Sequence, residues 1–144
     1  MNLLFSFFGR TGRGGFWLGV LAGVILSLVI MAIAAALVPW SEVIPKGPDG
    51  QPLRGPDGQM QLDWGNAKLL PAYIVYGIGT LLGIWIGLAT QIKRCHDRGF
   101  SGWWILLELI PLAGFIWMLV SLGILEGQEG PNKYGPDPRG MAKA

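Results

Sequence analysis

Three long apolar blocks, separated by short polar stretches, organise the chain. The first is free of charge from Gly14 to Ser41 and has its apolar centre from Phe16 to Val38. At helical rise these 23 residues reach about 34 Å, enough to cross a bilayer with some tilt. The second block, Leu69 to Ile92, is uncharged, and the third, Trp103 to Leu125, is apolar apart from Glu108 and Ser121. Such blocks are too long for the strands or amphipathic helices of a soluble core. The pattern predicts an all-α integral membrane protein, a single membrane domain over residues 1–144. Its three transmembrane helices are expected at about 16–39, 69–92 and 103–125, with a Gly/Pro-rich outer loop over 41–68 and a short polar tail over 126–144.

Two details qualify that pattern. Pro111-Leu-Ala-Gly114 lies near the middle of the third block; a kink that neighbouring helices tolerate is the expectation, and a re-entrant hairpin that returns the tail is the alternative. A cleaved signal peptide competes for the first block, with Arg10 and Arg13 as its basic region and Ala32-Ile-Ala as its cleavage site. The apolar run continues to Val38 and other spans follow, which favours a retained anchor.

Composition points the same way. A 144-residue chain that is 51% hydrophobic and 14% charged is unusual for a soluble domain. One cysteine excludes an intramolecular disulfide.

Charge sets the orientation. Arg10 and Arg13 precede the first span, and Lys93, Arg94 and Arg98 crowd the link between the second and third, so both segments belong to the cytoplasmic side. The loop between spans one and two sets Lys46, Arg54 and Lys68 against Glu42, Asp49, Asp57 and Asp63, and belongs across the membrane. If all three spans cross fully, the tail lies there too. Within the loop, Gly47-Pro-Asp-Gly is repeated from Gly55, the spacing of two tight turns. Asp49 and Asp57 lack the dense oxygen-ligand spacing of a calcium loop, so turns outweigh a cation site.

The scarce reactive residues lie together in "KRCHDRGFSGWW", residues 93–104. Cys95, His96 and Asp97 are the residue types of a cysteine triad, but sequence neighbours diverge by about 100° on a helix and cannot relay a proton among themselves. One His and one Cys leave a zinc site short of ligands. The structural reading uses more of the residues. Lys93, Arg94 and Arg98 meet anionic headgroups, Ser101 caps the third helix, and Trp17, Trp103 and Trp104 anchor the interface. Asp97 requires a cationic partner, for which Arg10 and Arg13 are the candidates. Glu108 sits inside the apolar zone, where a carboxylate is costly and is expected to be protonated, snorkelled toward the headgroups or facing another protein group. Gly79, Gly83 and Gly87 share one helix face suited to packing.

At these residues the chain resembles the YhaH-like bacterial inner-membrane family, domain of unknown function 805. The resemblance rests on "FFGRTGRGGFW" (7–17), "KRCHDRGFSGWWILLELIP" (93–111) and "GQEGPNKYGPDP" (127–138). The last of these adds Asn132, Tyr134, Gly135, Pro136, Asp137 and Pro138 to the residues of interest. The family usually has apolar residues at the positions of Cys95 and Glu108, and polar or acidic ones where Gly14 and Gly15 stand; the outer loop is longer than in a compact member. The resemblance implies location and architecture, a multi-pass protein of the bacterial inner membrane, and no reaction.

The expectation is therefore a small non-catalytic membrane protein, an interaction or accessory module of a larger assembly. Its cytoplasmic polar cluster is Arg10, Arg13, Arg94, His96, Asp97 and Arg98. Its partners are membrane lipids and other membrane proteins or further copies of itself, with no cofactor, metal or nucleic acid. The alternative is a small oligomeric transporter or channel using Glu108 and His96; an enzyme acting on lipids ranks third.

Overall fold

A computed structural model describes residues 4–140. Among the described residues the α-helices are α1 (Arg13–Ala36), α2 (Trp40–Val43), α3 (Leu70–Asp97) and α4 (Pro111–Trp117). Turns of 3-10 helix cover Ala67–Leu69 and Gly102–Leu109, and a π-helical stretch, Met118–Ile124, prolongs α4. Two helical runs, Arg13–Ala36 and Ala67–Asp97, are long and apolar enough to cross a membrane. The last residues of the expected polar tail, 141–144, lie outside the described residues. The chain divides into two compact units.

In the unit Leu26–Leu81, α1 and α3 approach closely at Gly79, where an added Cβ would come within 2.5 Å of Ile30. The glycine thus serves packing within the chain. In the loop, each Pro-Asp-Gly closes the same tight turn. Gly50 N–H donates to Gly47 O at 2.9 Å and Gly47 N–H to Gln51 O at 2.9 Å; Gly58, Gly55 and Gln59 repeat both bonds at the same length. Gly50 and Gly58 have φ of 74° and 76°, which glycine adopts at little cost. The carboxylates of Asp49 and Asp57 accept the N–H groups of Gln51 and Gln59 at 3.1 and 3.2 Å. Both aspartates are spent on their own turns.

The second unit joins Met1–Ile25 to Leu82–Ala144. Its core is Phe16, Cys95 and Leu122, with Phe100, Ile105 and Met118 packed against them. Here the third apolar block departs from the expected span over 103–125. Ser101 accepts the Trp103 N–H at 3.5 Å and starts the 3-10 turns. Ile110 is then extended, at φ −97° and ψ 101°. A residue before proline is pushed out of the helical region, and Pro111 has no N–H to carry the ladder onward.

The two pieces fold back on each other about that break. Gly114 lies against Glu108, where a Cβ would overlap the Glu108 backbone and stand 2.6 Å from Leu107 O. Trp104 and Trp117 stack with ring centroids 5.2 Å apart. The 3-10 piece spans eight residues, and α4 with its π extension seven plus seven, about 16 and 21 Å at their respective rises. Neither crosses a bilayer core of about 30 Å. The block is a hairpin, the alternative that Pro111 raised, and it returns the chain to the end of α3, where Gln128 N–H donates to Asp97 O at 2.8 Å.

Candidate functional site

The site grows out of the last turns of α3. Nothing in Lys93-Arg-Cys-His-Asp97 breaks a helix, so the residues expected in a link continue α3. The helix stops at Gly99, φ 77°, in a Schellman motif: Gly99 N–H donates to His96 O at 3.0 Å and Phe100 N–H to Cys95 O at 2.9 Å. Arg94 and Asp97, three apart on that last turn, face the same way.

Asp97 is held between two arginines. Arg10 Nε donates to Oδ1 at 3.1 Å and its terminal nitrogen lies 3.0 Å from the same oxygen, while Arg94 donates to Oδ2. The Arg10 and Arg94 side chains are 0% exposed and that of Asp97 4%. Of the two arginines the sequence offered Asp97, Arg10 holds it; Arg13 pairs instead with Glu126 at 2.8 Å, with both side chains half exposed. Lys93 and Arg94, expected against headgroups, are also fully buried, a correction that follows from α3 continuing into a packed end.

Two guanidiniums share one carboxylate, and backbone carbonyls satisfy the rest. Arg10 donates to Gln128 O at 2.5 Å, Gly130 O at 2.6 Å and Gly135 O at 3.4 Å. Arg94 donates to Leu122 O at 2.7 Å and to Leu125 O. Burying charge is costly unless it is paired and hydrogen-bonded, and this arrangement does both. It requires a close tail: a Cβ on Gly127 would overlap the Asp97 carboxylate.

The tail motif packs on the same cluster. The His96 ring stacks on Tyr134 at 3.8 Å and 6°, and its Nδ1 lies 3.2 Å from Gly9 O. The Asn132 amide donates to His96 O at 2.9 Å. Asp137 accepts the Gly130 N–H at 2.9 Å and pairs with Arg139 at 2.9 Å. The Arg139 hydrogen bonds hold the Asp137 carboxyl far below the usual carboxylate range and raise the Arg139 guanidinium in turn. Pro138 lies near Gly12, and Pro136 is exposed. Arg98 donates to Glu126 O at 3.3 Å and lies over the Phe100 ring.

The tryptophans divide. Trp103 is 77% exposed, whereas Trp104, also exposed, stacks on Trp117 and Trp17, likewise exposed, donates its Nε1–H to Gly123 O at 3.2 Å. Glu108 is half-buried beside Gln91, whose amide nitrogen, turned toward it, stands 2.5 and 2.9 Å from the carboxylate oxygens. Among the described residues no three His, Cys, Asp or Glu side chains gather as a metal site needs. Sequence reasoning did not find the tail carbonyls, Gly127, or a half-open cavity of about 500 Å³ beside the clasp, between the start of α1 and the tail. Backbone acceptors leave no mark in residue type; the Gly-rich tail was the available signal.

Residues 4–136 match a family described as a protein of unknown function, DUF805. Inner membrane protein YhaH of Escherichia coli strain K12 is 29% identical over 134 residues, 93% of this chain and 88% of that protein. Inner membrane protein YhaI of the same strain is 39% identical over 66 residues, 46% of this chain and 52% of its own length. The uncharacterized protein YiiR is 27% identical over 158 residues, 93% of this chain and 86% of that protein. No solved structure matches.

Proposed function

The chain belongs to the DUF805 family, and from that premise we propose that it is a non-catalytic inner-membrane protein, an interaction or accessory module of a larger membrane assembly. One observation carries the reading: the scarce reactive side chains are spent on internal structure. Asp97 is shared by Arg10 and Arg94, His96 is stacked on Tyr134, and Cys95 is buried. What faces outward is apolar: α1 exposes Leu18, Leu21, Val24, Ile25 and Leu28, and α3 exposes Ile78, Leu81 and Ile84. Lipid and other membrane proteins are the surroundings that such faces suit.

In this reading α1 and α3 span the membrane and the hairpin over 102–124 dips in and returns. The N-terminal segment, residues 98–101 and the tail share the cytoplasmic side, in keeping with the excess of Lys and Arg among them. Mild extraction from native membranes tests the reading: a reproducible partner or a multimer of the chain is expected, and a lone monomer would overturn it. The transporter or channel alternative has the Gln91–Glu108 pair in its favour. Proton or ion flux in proteoliposomes that Glu108→Gln abolishes would put it first.

A further inference from the structure

We infer that the cavity between the start of α1 and the tail binds a phosphate-bearing anion. Its walls carry Arg10, Arg13, Arg94 and Arg139 against Asp97 and Glu126, and Asp137 neutralises Arg139 from behind, so one positive charge is in excess. The excess is built in. Asp97 already serves both buried arginines of the inner wall, leaving one positive charge there without a carboxylate. At the mouth, Arg13 is held by an exposed ion pair with Glu126, which water screens and an incoming anion can displace, while Arg139, itself half-exposed, is paired with the partly buried Asp137. Arginine suits phosphate in particular, because its planar fork donates two parallel hydrogen bonds.

The backbone adds donors on the same wall. Gly12, just before α1, has no side chain to cap the helix, and the first turn holds no acid. The N–H groups of Arg13, Gly14 and Gly15, which line the cavity, precede the first intrahelical bond, from Phe16 N–H to Gly12 O at 2.9 Å. A Cβ on Gly14 would meet nothing within 4 Å. Packing does not require glycine there, and its effect is to leave the cavity open. The phosphate can come from a phospholipid headgroup or from solution, and the geometry suits both.

The site stands whether or not the protein has a protein partner. Full-length protein in an uncharged detergent is titrated calorimetrically with inorganic phosphate and, separately, with short-chain phosphatidylglycerol. Saturable binding is expected with at least one of them. A lipid preference of tenfold or more assigns a headgroup, and equal or tighter binding of inorganic phosphate assigns a free anion. Arg13→Gln with Arg139→Gln, both half-exposed positions, should weaken binding at least tenfold, and Gly14→Glu should abolish it while circular dichroism and elution volume stay unchanged. Lys46→Gln with Arg54→Gln removes the same charge from the outer loop and should leave the affinity unaltered. Binding of neither probe overturns the site; so does binding that neither cavity variant alters, or that the loop control weakens equally.

Discussion

Glu42 and Asp97 are both carboxylates paired with basic side chains, but the two pairs are physically unlike. Glu42 faces Lys68 with side chains 46% and 63% exposed, while Asp97 lies between two arginines that water does not reach. The first pair contributes at most about 1 kcal/mol and weakens with salt. Around the second, desolvation makes every acceptor matter, so removing one group leaves the others uncompensated. Both regions are rich in glycine, proline and charge. Similar composition therefore yields a local turn system in one place and a long-range clasp in the other, and what separates them is burial.

The contrast is sharpest in Asp97→Asn, which strips two buried guanidiniums of their carboxylate. The detergent-solubilised protein should lose about 3–5 kcal/mol of stability, seen as a marked fall in melting temperature; an unchanged melt would dissolve the distinction. Gly127→Ala comes next, because its methyl would meet the Asp97 carboxylate. Overpacking of this kind costs about 1–3 kcal/mol, and the tail should become protease-sensitive between Gly127 and Arg139. Replacing Tyr134 by Leu removes the stack on His96 and should cost about 0.5–1.5 kcal/mol, visible as faster hydrogen exchange in residues 130–137. Glu42→Gln should change the melt by less than about 0.5 kcal/mol, and a larger loss would place the outer pair in the same class as the clasp.

The mildest test is acidification. The Asp137 carboxyl titrates lower in the folded tail than when free, so its contribution is complete above the ordinary value of 3.8 and is lost as pH falls below it. Exchange of the Gly130 N–H, which Asp137 accepts, should quicken in that acid range, and Asp137→Asn should remove the pH dependence.

Much of the molecule could be read from residue order. The two long helices follow from uninterrupted apolar runs, and the twin turns from Pro-Asp-Gly, because both signals are local. The third block is less legible for a physical reason: an apolar run records preference for a nonpolar setting, not how many times the chain turns within it. Pro111 was the visible mark of the break, but the close approach at Gly114 that makes it a hairpin depends on tertiary contact. At the site, opposite charge tied Asp97 to Arg10, one of the two N-terminal candidates. The burial of Arg10 and Arg94 was illegible, since Arg94 donates to the carbonyls of Leu122 and Leu125 and Arg10 to those of Gln128 and Gly130, and peptide groups are the same in every sequence.

The clasp also imposes an order in time. Arg10 emerges from the ribosome 118 residues before Gln128, whose carbonyl it needs. Until then Arg10 has only Asp97 and water. Closure is accordingly a late event in synthesis. A nascent chain halted anywhere before Gln128 leaves Arg10 without the carbonyls of Gln128, Gly130 and Gly135.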